Sequence, residues 1–204
     1  TWTAVNITSV TLTWNENSNP LYVTRFTVEL STVSNFGSGT TISSITYLTD
    51  GTFFNLTPAT VYYGRVKATN HSGLDTAYTS LGSTTTRSVN PPTNLVYTGA
   101  TTTSITGSWT DSAPIGDSYT FQVSTDSGFN GTLSTVNSAA TSNTASGLSI
   151  NTTYYGRVDS IINGSSSTWT VGAATSTLAN TPATTASTWT AVNITSVTLT
   201  WNEN

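Results

Sequence analysis

The 204-residue sequence has no cysteine and no methionine, one histidine, and five lysines and arginines against nine aspartates and glutamates. Without cysteine there is no disulfide, no thiolate metal site and no cysteine nucleophile. The lone His71 limits any His–nucleophile or His–metal arrangement to a single imidazole. A net charge of −4, with 7% charged residues, supplies no basic patch to neutralise phosphates, which argues against nucleic acid as a partner. No apolar run approaches the roughly 18 residues of a transmembrane helix. No signal peptide is visible either, so the chain reads as a mature protein or an excerpt of one.

The remaining chemistry is sparse. The acids are Glu16, Glu29, Asp50, Asp75, Asp111, Asp117, Asp126, Asp159 and Glu203, scattered over turns and outward strand positions instead of paired across a cleft as glycoside hydrolysis needs. Asp111 and Asp117 flank one loop and could share a calcium ion, but Asx-turn capping explains them more simply. His71 falls in a loop, where a solvated turn residue is the plain reading. The Asn-x-Ser/Thr triplets at Asn6, Asn55, Asn70, Asn130, Asn151, Asn163 and Asn193 match what chance gives, since about 18 Asn stand in a chain that is about 38% Ser and Thr. No catalytic, cofactor-binding or metal site is expected, no cofactor is implied, and the chain does not read as an enzyme.

What the sequence does have is repetition. Residues 1–17, TWTAVNITSVTLTWNEN, recur identically at 188–204, a period of 187. A divergent repeat lies inside that period. SVTLTW (Ser9 to Trp14) returns as SITGSW (Ser104 to Trp109), and VYYGRVKA (Val61 to Ala68) as TYYGRVDS (Thr153 to Ser160), at offsets of 95 and 92. The unit is thus about 93 residues long, and two slightly different units make the larger period. Within each unit apolar residues alternate with polar ones: Val10, Leu12 and Trp14; Phe26, Val28 and Leu30; Phe121 and Val123. This period of two predicts half-buried strands. The turn clusters between them, such as NENSNP (15–20) and DSAPIGDS (111–118), predict an all-β sandwich or barrel with no long helix.

LTPATVYYGRVKATNHSG (Leu56 to Gly73) resembles the E–F corner and F strand of a fibronectin type III domain, through Leu56, Pro58, Thr60, Tyr62, Arg65, Val66, Ala68 and Asn70. The second unit matches more loosely, keeping Leu148, Thr152, Tyr154, Arg157 and Val158, with Ile150 in place of Pro. VSTDSGFNG (Val123 to Gly131) is similar to a segment common in bacterial versions of the module. The resemblance implies an immunoglobulin-like β-sandwich in tandem. Tyr62 and Tyr154 would form tyrosine corners, bonding backbone upstream. Trp14, Val66, Trp109 and Val158 would be core residues. Gly64 and Gly156 stand at an inward position where the family usually places a large apolar residue; the expected cover is an aromatic ring, with Trp14 and Trp109 as its source. Arg65 and Arg157, on the outer face, should stack on neighbouring Tyr or Thr. Leu74-Asp75-Thr76 resembles an integrin ligand tripeptide, although a plain loop accounts for it.

The expected domains are 1–88, 89–180, and at 181–204 the first two strands of a third repeat, with Pro-containing linkers at 84–94 and 178–187. Short linkers of that kind are semi-rigid and would make an array a rod. The expected role is a structural protein outside the cell or at its surface: a rod, filament or adhesin stalk whose partners are neighbouring copies of itself, with surface glycans or host proteins as further partners. The alternative is a spacer or carbohydrate-contacting module of a secreted polysaccharide-degrading enzyme. The last 17 residues should continue the array one 187-residue step along a fibre axis. A strand-donating polymer is disfavoured, because residues 1–17 already fill the slot a donor would need.

Overall fold

The structure, a computed structural model, describes residues 1–202 apart from Ser38 and Thr132; for 184–190 and 200–202 it describes the backbone alone. The two-residue alternation resolves into strands, and no helix is present among the described residues. The first seven are β1 (Trp2–Val5), β2 (Val10–Thr13), β3 (Arg25–Ser31), β4 (Thr41–Thr46), β5 (Asp50–Phe53), β6 (Val61–Thr69) and β7 (Thr79–Thr85). They form two antiparallel sheets, ordered β1-β2-β5 and β4-β3-β6-β7. Alternation sends Val10 and Leu12 from one sheet, and Phe26, Val28, Leu30 and Val66 from the other, into a single core. Such burial of apolar side chains is the main favourable term in folding.

The next eight strands repeat the plan: β8 (Thr93–Ala100), β9 (Ser104–Thr110), β10 (Ser118–Ser124), β11 (Leu133–Ser138), β12 (Ser142–Ser146), β13 (Thr153–Ile162), the short β14 (Ser165–Ser166) and β15 (Thr170–Ser176). Their sheets run β12-β9-β8 and β11-β10-β13, with β14 and β15 both paired to β13. Ile105, Trp109, Tyr119, Phe121, Val123 and Val158 form this core. By chain contacts the molecule divides into two compact units. One comprises Thr1–Pro91, Pro114–Asp117 and Ser160–Thr168, the other Pro92–Ala113, Ser118–Asp159 and Trp169–Asn204. The first unit also holds a satellite cluster of Ile7, Val89 and Ile162.

The chain ends in a hairpin of its own, β16 (Ala183–Val192) and β17 (Val197–Asn202), a two-stranded sheet. Its pairing reproduces that of the identical residues near the start. Trp2 faces Leu12, Ala4 faces Thr11 and Val5 faces Val10; 187 residues later Trp189 faces Leu199, Ala191 faces Thr198 and Val192 faces Val197. The register break after the tryptophan recurs as well. The turn bond from Asn6 N to Ser9 O (2.9 Å) returns from Asn193 N to Ser196 O (2.7 Å). The side chains of Trp189 and Trp201, and all of Glu203 and Asn204, lie outside the described residues.

Candidate functional site

Six of the eight core residues that sequence singles out, Tyr62, Gly64, Val66, Tyr154, Gly156 and Val158, lie on β6 and β13. Gly64 and Gly156 are buried, and each lies under an aromatic ring. The rings are not those of Trp14 and Trp109, which corrects the expectation. A Cβ at Gly64 would collide with Leu12 Cδ2 and lie 3.3 Å from the Trp2 ring. One at Gly156 would lie 2.5 Å from the Tyr97 hydroxyl. Trp2 and Tyr97 are equivalent residues of β1 and β8, opposite Leu12 and Gly107 across their hairpins. Trp14 instead packs edge-on to Phe26 at 5.8 Å and stays half-buried, while buried Trp109 meets Tyr119 and Phe121 at 5.7 and 5.8 Å. The strand-B tryptophans sit near the end of their sheets, too far along the strand to reach the glycines.

Tyr62 and Tyr154 are buried rings whose hydroxyls accept from backbone five residues upstream: Thr57 N at 3.0 Å and Ser149 N at 2.9 Å. Val66 and Val158 are buried beside them. Each corner is braced by a buried threonine. Thr86 Oγ1 accepts from Thr60 N and donates to Thr57 O; Thr177 Oγ1 accepts from Thr152 N and donates to Ser149 O.

On the outer face both arginines lie between two rings. The Arg65 guanidinium is 4.1 Å from the Phe36 ring centre and 3.9 Å from that of Tyr78; Arg157 is 4.3 Å from Phe129 and 4.2 Å from Trp169. Such cation–π stacking is worth about 0.5–1 kcal/mol at exposed sites and more when desolvated. Arg65 Nε donates to Glu29 Oε2 at 2.7 Å, whereas Arg157 Nε donates to the neutral Gln122 Oε1 at 2.8 Å. Tyr78 O–H also donates to Glu29, at 2.6 Å; burial first, then that carboxylate, raises the phenol's pKa. The expected Tyr or Thr partners are only part of the answer, since Phe36, Phe129 and Trp169 supply three of the four rings. Phe36 and Phe129 both adopt left-handed backbone, at φ 53° and 57°. The Asn35-Phe36-Gly37 and Gly128-Phe129-Asn130 turn signals mark where these turns fall, but not that the ring folds back onto an arginine.

In the first unit's loop after β6, the Asp75 carboxylate accepts from Lys67 Nζ and, at 2.6 Å, from Thr69 Oγ1. The lysine, then the threonine, hold its pKa below the usual 3.8, and the same contact raises that of Lys67. The acid of the Leu74-Asp75-Thr76 tripeptide is therefore engaged within the loop, while Leu74 is 68% exposed. A cleft of about 640 Å³ opens beside it, with Val23, Arg25, Tyr47, Asn70 and His71 in its lining. It presents hydrogen-bonding groups and an aromatic ring. Asp111 accepts from Tyr119 O–H, and Asp117 Oδ2 from Asn163 N at 2.7 Å. Among the described residues no three His, Cys, Asp or Glu side chains gather as metal ligands.

No family model matches the sequence. The two-domain fibronectin type III segment of chicken tenascin superimposes with a TM-score of 0.51 at 19% identity, over 87% of this chain and 97% of that one. The chain folds as tandem fibronectin type III domains. Chitinase A1 of Niallia circulans is 31% identical over 160 residues, which are 74% of this chain and 21% of that protein. The chain thus spans about a fifth of the curated relative it matches. In fibronectin type III terms, the glycines and tyrosine corners lie on strand F, and the arginines occupy its outer face.

Proposed function

We propose that this chain is a non-catalytic structural protein of the cell exterior, whose tandem fibronectin type III sandwiches form a rod, filament or adhesin stalk. The observation that carries the reading is repetition at two levels. Seventeen residues recur identically after 187, and they form the same hairpin with the same register break. The arginines on the outer faces of strand F are engaged in bonds that brace each sandwich, which supports a structural role. Neighbouring copies are the proposed partners. Four linked copies of residues 1–187, measured by small-angle scattering, test this. The maximum dimension should grow in proportion to copy number, and a particle that stays compact as copies are added would refute the rod.

The match to chitinase A1 favours a second reading, a spacer or carbohydrate-contacting module of a secreted polysaccharide-degrading enzyme. On that reading the cleft lined by Tyr47 and His71 contacts glycan. Retention on insoluble chitin that is lost in Tyr47→Ala would support it, and no retention of the parent chain would remove it.

A further inference from the structure

The sequence holds two Asn-Gly pairs, Asn130-Gly131 and Asn163-Gly164. A glycine offers its backbone nitrogen to the preceding carboxamide with no Cβ in the way, which favours ring closure between the two neighbours. The surroundings of the pairs differ. Asn163 is held at both ends within the first compact unit: its N–H donates to Asp117 Oδ2 at 2.7 Å and its Nδ2 to Leu56 O at 3.0 Å. With φ 48° at Asn163 and 74° at Gly164, that pair is the tight left-handed turn joining β13 to β14. Asn130 and Gly131 are both exposed. Asn130 N donates to Asp126 Oδ2 at 3.0 Å, a bond that a reaction at the side chain does not break. Among the described residues no backbone carbonyl accepts from the Asn130 carboxamide, whose nitrogen lies over Gly128 beside the Asp126 carboxylate.

We propose that Asn130 is a self-modification site, at which the Gly131 nitrogen displaces the side-chain amide and water converts the product into aspartate and isoaspartate. Gly131 N bonds to Asn130 Cγ, the Cγ–Nδ2 bond breaks, and the amide nitrogen leaves as ammonia with the proton that Gly131 gives up. Holding nucleophile and carboxamide on adjacent residues makes the step intramolecular. Water then opens the succinimide. Attack at Cγ returns the ordinary chain with aspartate, and attack at the main-chain carbonyl leaves the chain running through Cγ as isoaspartate. Either product places a new carboxylate beside that of Asp126, which gathers Gly128 N and Asn130 N into the turn. Like charges at such range repel. Isoaspartate also lengthens the main chain next to Phe129, whose ring lies 4.3 Å from the Arg157 guanidinium. Both changes open the turn and withdraw that ring. The first sandwich has no such site, because its Phe36 is followed by Gly37. Age thus weakens one sandwich and spares the other.

Incubating the intact chain at mildly alkaline pH and mapping its peptides by mass spectrometry tests this. Asn130 should convert about tenfold faster than Asn163, whose hydrogen bonds must break before it can react. Isoaspartate should be among the products. A Cβ at Gly131 would meet only Asp126 Cβ at 3.7 Å and Ser124 Oγ at 4.0 Å, and the backbone there is not left-handed. Gly131→Ala therefore keeps the fold, and by crowding the nucleophile it should slow Asn130 about tenfold. Asp117→Ala should speed Asn163 and leave Asn130 unchanged. In the aged chain, unfolding of the second sandwich should shift to lower denaturant while that of the first stays in place. Equal rates at the two asparagines, an Asn130 indifferent to Gly131→Ala, or aspartate without isoaspartate would each overturn the proposal. So would an aged chain whose second sandwich unfolds as before.

Discussion

The two sandwiches solve one packing problem with different residues. In the first, Leu12 and Val28 are inward-facing residues of opposite sheets. The corresponding positions of the second are Gly107 and Phe121, and a Cβ on that glycine would sit 2.7 Å from the phenylalanine ring. Bulk has moved from one sheet to the other while the filled space stays constant, as close-packed interiors require. The strand F site shows the same exchange, with Trp2 and Leu12 over Gly64 against Tyr97 over Gly156. What the repeats share is a volume and a register; residue identity follows from those.

Transplanting one solution into the other breaks the comparison most severely. Phe121→Val alone should cost about 2–4 kcal/mol by opening a cavity, and Gly107→Leu alone about 1–3 kcal/mol by overpacking. Together they recreate the Leu12/Val28 pair, and the double variant should be more stable than either single one in chemical denaturation. Additive losses would show that the two cores are not interchangeable. The arginine stacks come next. Arg65→Ala should cost about 1–2 kcal/mol, because it removes cation–π contacts and strands the mostly buried Glu29 carboxylate. Arg157→Ala, which leaves only a neutral amide, should cost about half that. Comparing both losses in low and high salt isolates the ionic part, which should shrink for Arg65 alone.

A smaller effect sits at the E–F corner. Ala59 has φ 49° and its counterpart Asn151 has φ 47°, and left-handed backbone suits Asn far better than Ala. Ala59→Asn should therefore stabilise the first sandwich by about 0.5–1 kcal/mol, and Asn151→Ala should weaken the second by as much. Thermal melts of the two variants read this directly. The smallest difference concerns acid. In the turn after β10, the Asp126 carboxylate accepts from Gly128 N and Asn130 N, both at 3.0 Å, and these bonds hold its pKa below 3.8. A depressed carboxylate contributes stability that is complete above its unfolded pKa and is lost as pH falls through the folded value. Val33 stands at the same place in the first sandwich, so Asp126→Val should remove that acid-linked loss from the second unit. Proton-linked shifts of the Gly128 and Asn130 amides below about pH 4 would follow the event in the parent.

Most of the strand pattern was legible because inward-facing and outward-facing residue types alternate along Val10–Thr13, Arg25–Ser31 and Val61–Thr69. The tyrosine corners were legible through the resemblance to fibronectin type III domains, and the bond itself is local, Tyr62 accepting from backbone only five residues away. The cover over Gly64 could not. It depends on how far β1 slides past β2, and the register break between Trp2 and Ala4 brings the indole inward at a position that alternation alone does not specify. The rings around Arg65 and Arg157 were half legible, because a left-handed Phe36 or Phe129 reflects the closure of a whole turn and not its own propensity.

Those register breaks bear on how so uncharged a protein presents its sheet edges. An edge strand offers unpaired N–H and C=O groups to any passing chain, and lysines commonly guard it; this sequence has one lysine, Lys67. Here the backbone itself interrupts the template. The edges β1, β7, β8 and β15 all carry a break in their ladders. The opposite edges β4, β5, β11 and β12 pair without interruption, and Ile42 and Ile45 on β4 are exposed. Misassembly into sheet-like aggregates thus has an open margin on one side of each sandwich and a broken one on the other.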